Sequence, residues 1–308
     1  MDIPNHRSLH TQPKPRTGGI AILLVLFIGS LIFQPQIDKE LFAFFPYILL
    51  LAALAIYDDI LSISPLKRFF LQILIAGLIV SKDLNLNSLQ FFGIEINLPP
   101  VIGMFITILF IVWLINLYNF MDGMDGFAAG MAIFGFATFA LLAVIKGEYG
   151  FAMANLLVVA AAVGFLLLNL PPSRIFMGDV GSTIIGMLVA LFSLWAEKQQ
   201  IFSLLVSLVI FTPFILDATV TLIKRLTKRE KIWEAHRSHY YQRLVLLGWG
   251  HKKTLLMEYS WMLVCSSVGI LLFYVQQSVI QLGLFALFAV LCVGLLTLID
   301  KKTQSIRT

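Results

Sequence analysis

Six aspartates, Asp58, Asp59, Asp122, Asp125, Asp179 and Asp217, stand at or beside the ends of long apolar stretches in this 308-residue chain. A carboxylate in or bordering such a stretch is costly and is usually retained for function. Six of them toward one face call for cations, or for ligands that arrive with cations. Asp58-Asp59 puts two adjacent carboxylates at a helix end, where like charges raise each other's pKa unless a cation or donor intervenes. Lys67 and Arg68 follow within three turns and suit phosphate oxygens. The plain reading of the pair alone is a solvated helix end.

A denser constellation runs from Asn116 to Gly126. Asn116, Asn119, Asp122 and Asp125 recur at every third position, which predicts that they fan across one side of a helical turn. Gly123 and Gly126 loosen that turn and permit close backbone approach. Amide and carboxylate oxygens so arranged suit Mg2+, or the donor groups of a nucleobase and ribose. Phe176–Ser182 places Asp179 among glycines where the next apolar helix begins. A carboxylate with free backbone N–H groups there attracts phosphate and supplies a metal ligand, although a simple Asp or Ser N-cap uses the same residues. His236-Arg237-Ser238-His239 lies in the longest basic loop. Two histidines three apart are half a zinc site, but no cysteine or third histidine is near in sequence, so imidazole and guanidinium groups aimed at a diphosphate fit better. The stretch Asp2–Gly19, which contains Arg16, reads by itself as an ordered basic loop.

Elements able to position these groups follow from composition. Hydrophobic residues make up 59% and charged residues 13% of the chain, with a mean hydropathy of +0.91. A soluble domain carries about 25% charged residues, so lipid is the solvent for most of this one. A spanning helix needs about 20 apolar residues. Ten candidates lie near 18–33, 42–57, 66–81, 99–115, 127–145, 151–170, 183–196, 201–222, 256–274 and 277–299. The expected fold is all-α, a polytopic integral membrane helical bundle forming one domain over residues 1–308. Cys265 and Cys292 fall inside apolar runs and read as inert packing. With ten spans, 18 Lys and Arg collect on one side and 4 on the other, which makes the first side cytoplasmic and puts Lys82–Leu98 outside. That topology accounts for the net charge of +5 and calls for no nucleic acid.

In order along the chain, Asp2–Gly19, Asp58-Asp59 with Pro65, Arg68 and Gln72, Asn116–Gly126, Phe176–Ser182, Asp217 and His236–Gln242 resemble the polyprenyl-phosphate N-acetylhexosamine-1-phosphate transferases, relatives of the phospho-N-acetylmuramoyl-pentapeptide transferase. The resemblance implies transfer of a sugar 1-phosphate from a UDP-N-acetylhexosamine to undecaprenyl phosphate with release of UMP, at the cytoplasmic face of the plasma (inner) membrane. It implies Mg2+ as cofactor, with Mn2+ as a substitute, held by Asn119 and Asp179. Asp58, Asp59, His236 and His239 match the catalytic set. Arg16, Arg68, Asn116, Asp122, Asp125 and Arg237 match the substrate-binding set. The lipid bilayer is the obligatory surrounding and a homodimer the candidate assembly. The loop HRSHYYQ, and Thr11 where the peptidoglycan enzyme carries a lysine, point to initiation of O-antigen or related surface glycans. The muramoyl-pentapeptide transferase is the alternative, and a membrane transporter a more distant one. Family members carry one more span before Asp2–Gly19, giving eleven, so ten are expected here.

Overall fold

Long runs of Leu, Ile, Val, Ala and Phe become helices because lipid offers no partner for backbone N–H and C=O groups. The computed structural model describes residues 13–61, 63–231 and 236–304. Each of the ten apolar stretches is helical there: α1 Gly18–Ile32, α2 Phe45–Leu61, α3 Pro65–Val80, α4 Pro100–Met121, α5 Phe127–Lys146, α6 Tyr149–Asn169, α7 Gly178–Lys198, the pair α8 Leu204–Ile210 and α9 Thr212–Thr227, then, after the short α10 Tyr240–Leu244, α11 Gly250–Tyr274 and α12 Ser278–Gln304. The protein is a mostly helical, multi-pass membrane protein.

The count of ten is not met by length alone. Among the described residues seven helical stretches are long and apolar enough to cross a membrane. The pair α8–α9, bent by 80°, would make an eighth. At 1.5 Å per residue the fifteen residues of α1 reach only about 22 Å, short of a hydrocarbon core of about 30 Å. The sixteen of α3 are little longer, and Lys67 and Arg68 occupy its first turns.

One element departs from the all-α expectation. Inside Lys82–Leu98, β1 Ser88–Phe91 pairs antiparallel with β2 Ile94–Asn97, in register Ser88↔Asn97 and Phe91↔Ile94. Phe92 and Gly93 both adopt positive φ, 50° and 76°, which is the backbone a tight hairpin turn demands.

Helix α7 is the axis of the bundle, with 94% of its span buried inside the protein. It packs closely on α4, where a Cβ at Gly186 would come within 2.5 Å of the Leu114 carbonyl oxygen. Helix α1 crosses α7 glycine on glycine. A Cβ at Gly181 would stand 2.8 Å from the Gly19 Cα, and one at Gly19 would strike the Gly181 backbone nitrogen. Small residues at such crossings let membrane helices touch backbone to backbone. The chain just before α1 is thereby laid along the chain just before α7: Phe176 N–H donates to Pro15 O (2.8 Å), Gly18 N–H to Phe176 O (3.0 Å) and Gly19 N–H to Met177 O (2.8 Å). That seam lays Arg16 against Gly178, where a Cβ would stand 2.9 Å from the Arg16 carbonyl oxygen.

Candidate functional site

Four elements meet at the end of the bundle that holds the start of α7. Asp179 lies in the first turn of α7, beside the N-terminal seam. Arg68 on α3 reaches both Asp58 Oδ2 on α2 (3.1 Å) and Asp179 Oδ2 (3.3 Å). One guanidinium therefore ties two carboxylates 121 positions apart. Asn119 on α4 donates its amide to Asp179 Oδ1 (3.2 Å) and to Ser182 Oγ (2.9 Å).

The aspartate pair divides its labour. Asp58 is half-buried and occupied: Oδ1 accepts the Ile63 backbone N–H at 2.9 Å while Oδ2 holds Arg68. Asp59 is exposed, with Asp179 and Arg16 as its strongest charged neighbours. Asp122 completes the group. Burial, then the negative charge of Asp179, push its carboxyl well above the ordinary range, against the opposing pull of Arg16 and the Gly178 N–H. Asp58, Asp59, Asp122 and Asp179, together with Arg16, Arg68 and Asn119, form one oxygen-rich, cation-edged centre.

The expectation of a helical fan from Asn116 to Asp125 is corrected. Helix α4 stops at Met121, Asp122 leaves the helical region (φ −85°, ψ 46°), and Gly126 turns left-handed (φ 76°) to start α5. Two glycines within five residues break the helix before the spacing can repeat. Asn116 and Asn119 stay on α4, one turn apart, but Asn116 spends its amide on Gln72 Oε1 (2.7 Å) and Val112 O (2.8 Å), bracing α3 against α4.

Asp125 turns inward and is 5% exposed. It accepts from Ser173 N–H (3.0 Å) and Ser173 Oγ (2.8 Å), with Lys14 Nζ at 3.8 Å and His251 Nδ1 at 3.5 Å. Burial raises its pKa, but the His251 and Ser173 contacts outweigh that and bring it down to about 2. It acts as a strut that fixes the 122–126 turn to the loop before α7.

The histidine loop arrives from the far side of the same turn. Asp217 on α9, 5% exposed, accepts from His239 Nδ1 (3.0 Å), Tyr240 N–H (2.9 Å), Thr221 Oγ1 (3.1 Å) and Tyr241 N–H (3.0 Å). An ionised carboxylate only accepts, so His239 carries its hydrogen on Nδ1 and leaves Nε2 as the open position. His236 lies against His239 with ring centroids 4.8 Å apart and ring planes tilted by 33°. Its Nδ1 faces the Ser238 N–H at 3.3 Å and Ser238 Oγ at 2.8 Å, which leaves Nε2 as the donor. Tyr241 stacks on His239 at 5.8 Å and presses its hydroxyl against Gly123, where any Cβ would collide with it. Arg237, between the two histidines in sequence, lines a cavity together with Lys224, Arg225 and Arg243. The sequence marks Asp217 as one acidic residue among six and as part of the family resemblance, without linking it to the histidines. Its role as the histidine's anchor has no signal at any sequence spacing, because its partners lie 22 to 24 positions on.

Fit to a hard cation rests on oxygen donors. Among the described residues no group of three or more His, Cys, Asp and Glu side chains could hold a metal ion by itself. Mg2+ is commonly bound through one or two carboxylates, with substrate phosphates and water filling the remaining positions, and Asp179 beside Asp122 and Asp59 fits that pattern. Asn119 turns its amide nitrogen to Asp179, so in this geometry it orients the carboxylate.

Fold and site together define a polytopic membrane protein with a phosphate-suited carboxylate centre at one end of its bundle. The chain belongs to glycosyl transferase family 4, whose family description matches residues 41–197. It is 30% identical to the probable undecaprenyl-phosphate N-acetylglucosaminyl 1-phosphate transferase of Bacillus subtilis (strain 168), over 94% of this chain and 80% of that protein. It is 29% identical to the undecaprenyl-phosphate alpha-N-acetylglucosaminyl 1-phosphate transferase of Haemophilus influenzae, over 94% and 84%. It is 26% identical to a phospho-N-acetylmuramoyl-pentapeptide-transferase of Latilactobacillus sakei, over 84% of each. The membership suggested by the motif order is thereby met.

Proposed function

We propose that this protein transfers an N-acetylhexosamine 1-phosphate from a UDP-sugar to a polyprenyl phosphate, releasing UMP. The observation that carries the reading is the convergence of Asp59, Asp122 and Asp179 with Arg16 and Arg68 at one end of a membrane bundle, in a chain similar to transferases of that activity. Both reactants are anionic phosphates, so the barrier is mutual repulsion and alignment. Arg16 and Arg68 supply positive charge where the phosphates must approach. Asp59, exposed at the membrane end of α2, orients the acceptor phosphate or takes its proton. Asp122, with the backbone freedom of Gly123, lies on the nucleotide side, and His236 offers an Nε2–H to a diphosphate oxygen. Asp179 would hold a Mg2+ ion there, and that ion would offset negative charge on the donor diphosphate as UMP departs. The acceptor attacks the donor's β-phosphorus directly.

Ten crossings, with the carboxylate centre on the cytoplasmic face of the plasma membrane, accord with the 18 to 4 distribution of Lys and Arg. The loop His236–Gln242 favours initiation of O-antigen or a related surface glycan. The test incubates membranes containing the protein with undecaprenyl phosphate and a panel of UDP-N-acetylhexosamines, and scores lipid-linked sugar and UMP. No lipid-linked product with any donor, from protein shown to be folded, would refute the reading.

A further inference from the structure

A second cationic feature stands apart from the carboxylate centre. Helix α9, the loop before α10, the turn after it and the end of α12 frame a cavity of about 600 Å3. None of Arg16, Asp58, Asp59, Arg68, Asn119, Asp122 or Asp179 lines it. Among the described residues that line it, five are cations (Lys224, Arg225, Lys228, Arg237 and Arg243) and two are carboxylates, Glu230 and Asp300. Those carboxylates are spread thin. Asp300 is shared by Lys224 and by Arg243, the latter at 2.8 Å, while Glu230 is held by Arg225 at 2.9 Å. Lys228 is exposed at the C-terminal cap of α9. A cavity of this size with surplus positive charge is built for an anion larger than a simple ion.

The rim says which anion. Leu246 lines the cavity and is 55% exposed. On the two framing helices Leu226 and Leu298 are 52% and 61% exposed. Such side chains face acyl chains in a membrane protein, while the Lys and Arg heads sit where headgroups lie. Tyr240, between the two zones, puts its hydroxyl on Asp300 (3.2 Å) and its ring under Lys224 and Arg243.

We propose that this cavity binds the phosphodiester headgroup of an anionic membrane phospholipid, with the acyl chains lying along α9 and α12. A lipid seated there would brace Arg237 and Ser238, which separate the two histidines of the loop. The assignment rests on the chain being a membrane protein, and lipid retention is read without turnover, so its failure and a failure of the proposed reaction are distinguishable.

The test is native mass spectrometry of the intact purified chain with titrated phosphatidylglycerol or phosphatidylcholine. Wild type should retain phosphatidylglycerol in preference to phosphatidylcholine. Lys228→Gln/Arg243→Gln should weaken phosphatidylglycerol retention by roughly tenfold or more, since each cation at a membrane surface contributes measurably to anionic-lipid binding, and leave phosphatidylcholine unchanged. Lys228→Gln alone, at an exposed position, should give a smaller loss in the same direction and keeps the test valid if the double variant misfolds. Equal retention of phosphatidylglycerol by wild type and folded variants would overturn the proposal. Glycerol 3-phosphate or inorganic phosphate bound as tightly as the lipid would overturn the lipid as source. A selective loss of polyprenyl-phosphate binding in the variants would overturn it by returning the cavity to the acceptor.

Discussion

His239 donates from Nδ1 to Asp217 Oδ1 across 3.0 Å, and the same carboxylate also receives the two backbone N–H groups that follow the histidine, those of Tyr240 and Tyr241. The carboxylate thus fixes both the ring's tautomer and the start of α10. Asp217→Asn cannot reproduce this. An amide has a single acceptor oxygen, so its NH2 must confront either the histidine side or the Tyr241 N–H. Turnover should fall about 10- to 100-fold, the usual effect of losing a group that orients a functional histidine. Unchanged turnover in a folded Asp217→Asn variant would count against the dyad.

Asp58 and Asp59 should fail differently. Asp58 is committed to Ile63 N–H and Arg68, so Asp58→Asn should lower thermal stability in detergent as well as activity. Asp59 is exposed and makes no such brace, so Asp59→Asn should leave the melting temperature unchanged and abolish lipid-linked product while UDP-sugar binding persists. Paired melting curves and binding isotherms would check both, and identical behaviour of the two variants would contradict the division.

Asp125→Asn should destabilise the protein by roughly 1–3 kcal/mol at neutral pH, the scale of leaving a buried donor unsatisfied, with UMP affinity affected less than stability. The sign of the pH effect follows from a carboxyl brought down to about 2 from an ordinary 3.8. Its stabilisation is complete above about pH 4 and is lost as pH falls through 2. The gap between wild type and variant should therefore close in acid, as read by unfolding at pH 7 and pH 3 and extended as low as the detergent permits. A gap that widened in acid would contradict this electrostatic role.

Activity should require a divalent cation, and Asp179→Asn should reduce kcat by roughly 10² or more, the scale of lost charge stabilisation. Full turnover in EDTA would refute the metal assignment.

Much of this architecture is legible in the sequence because lipid simplifies the code. All ten apolar stretches are helical, and Asp58-Asp59, Asp122, Asp125 and Asp179 sit at helix ends as expected, whereas Asp217 lies within α9. Features without a sequence signal are non-local or very short. The hairpin uses strands of four residues, Ser88–Phe91 and Ile94–Asn97, too brief to register beside long helices. The three-residue period from Asn116 to Asp125 suggested a helix that Gly123 and Gly126 interrupt. Contacts within the site are equally non-local: Asp125 meets Ser173 on both its oxygens, 48 positions on, and Arg237 shares a cavity with Lys224 and Arg243. Lys14, whose ammonium reaches Ser173 Oγ at 2.8 Å and lies over the Phe176 ring, carried no signal beyond being basic.

The seam between the chain before α1 and the chain before α7 has a consequence for biosynthesis. Lys14 and Ser173 are 159 positions apart, so at the usual 5–20 residues per second of synthesis the first strand waits roughly ten seconds or more for its mate. Arg16 and Arg68 are made before Asp122 and Asp179. Each later carboxylate therefore enters the bilayer toward a cation already installed, and Asp58 has its own, Arg68, ten positions behind it. Asp122 and Asp179 are thus made only after Arg16 and Arg68, while Asp58 and Asp59 have, of those two arginines, Arg16 alone ahead of them.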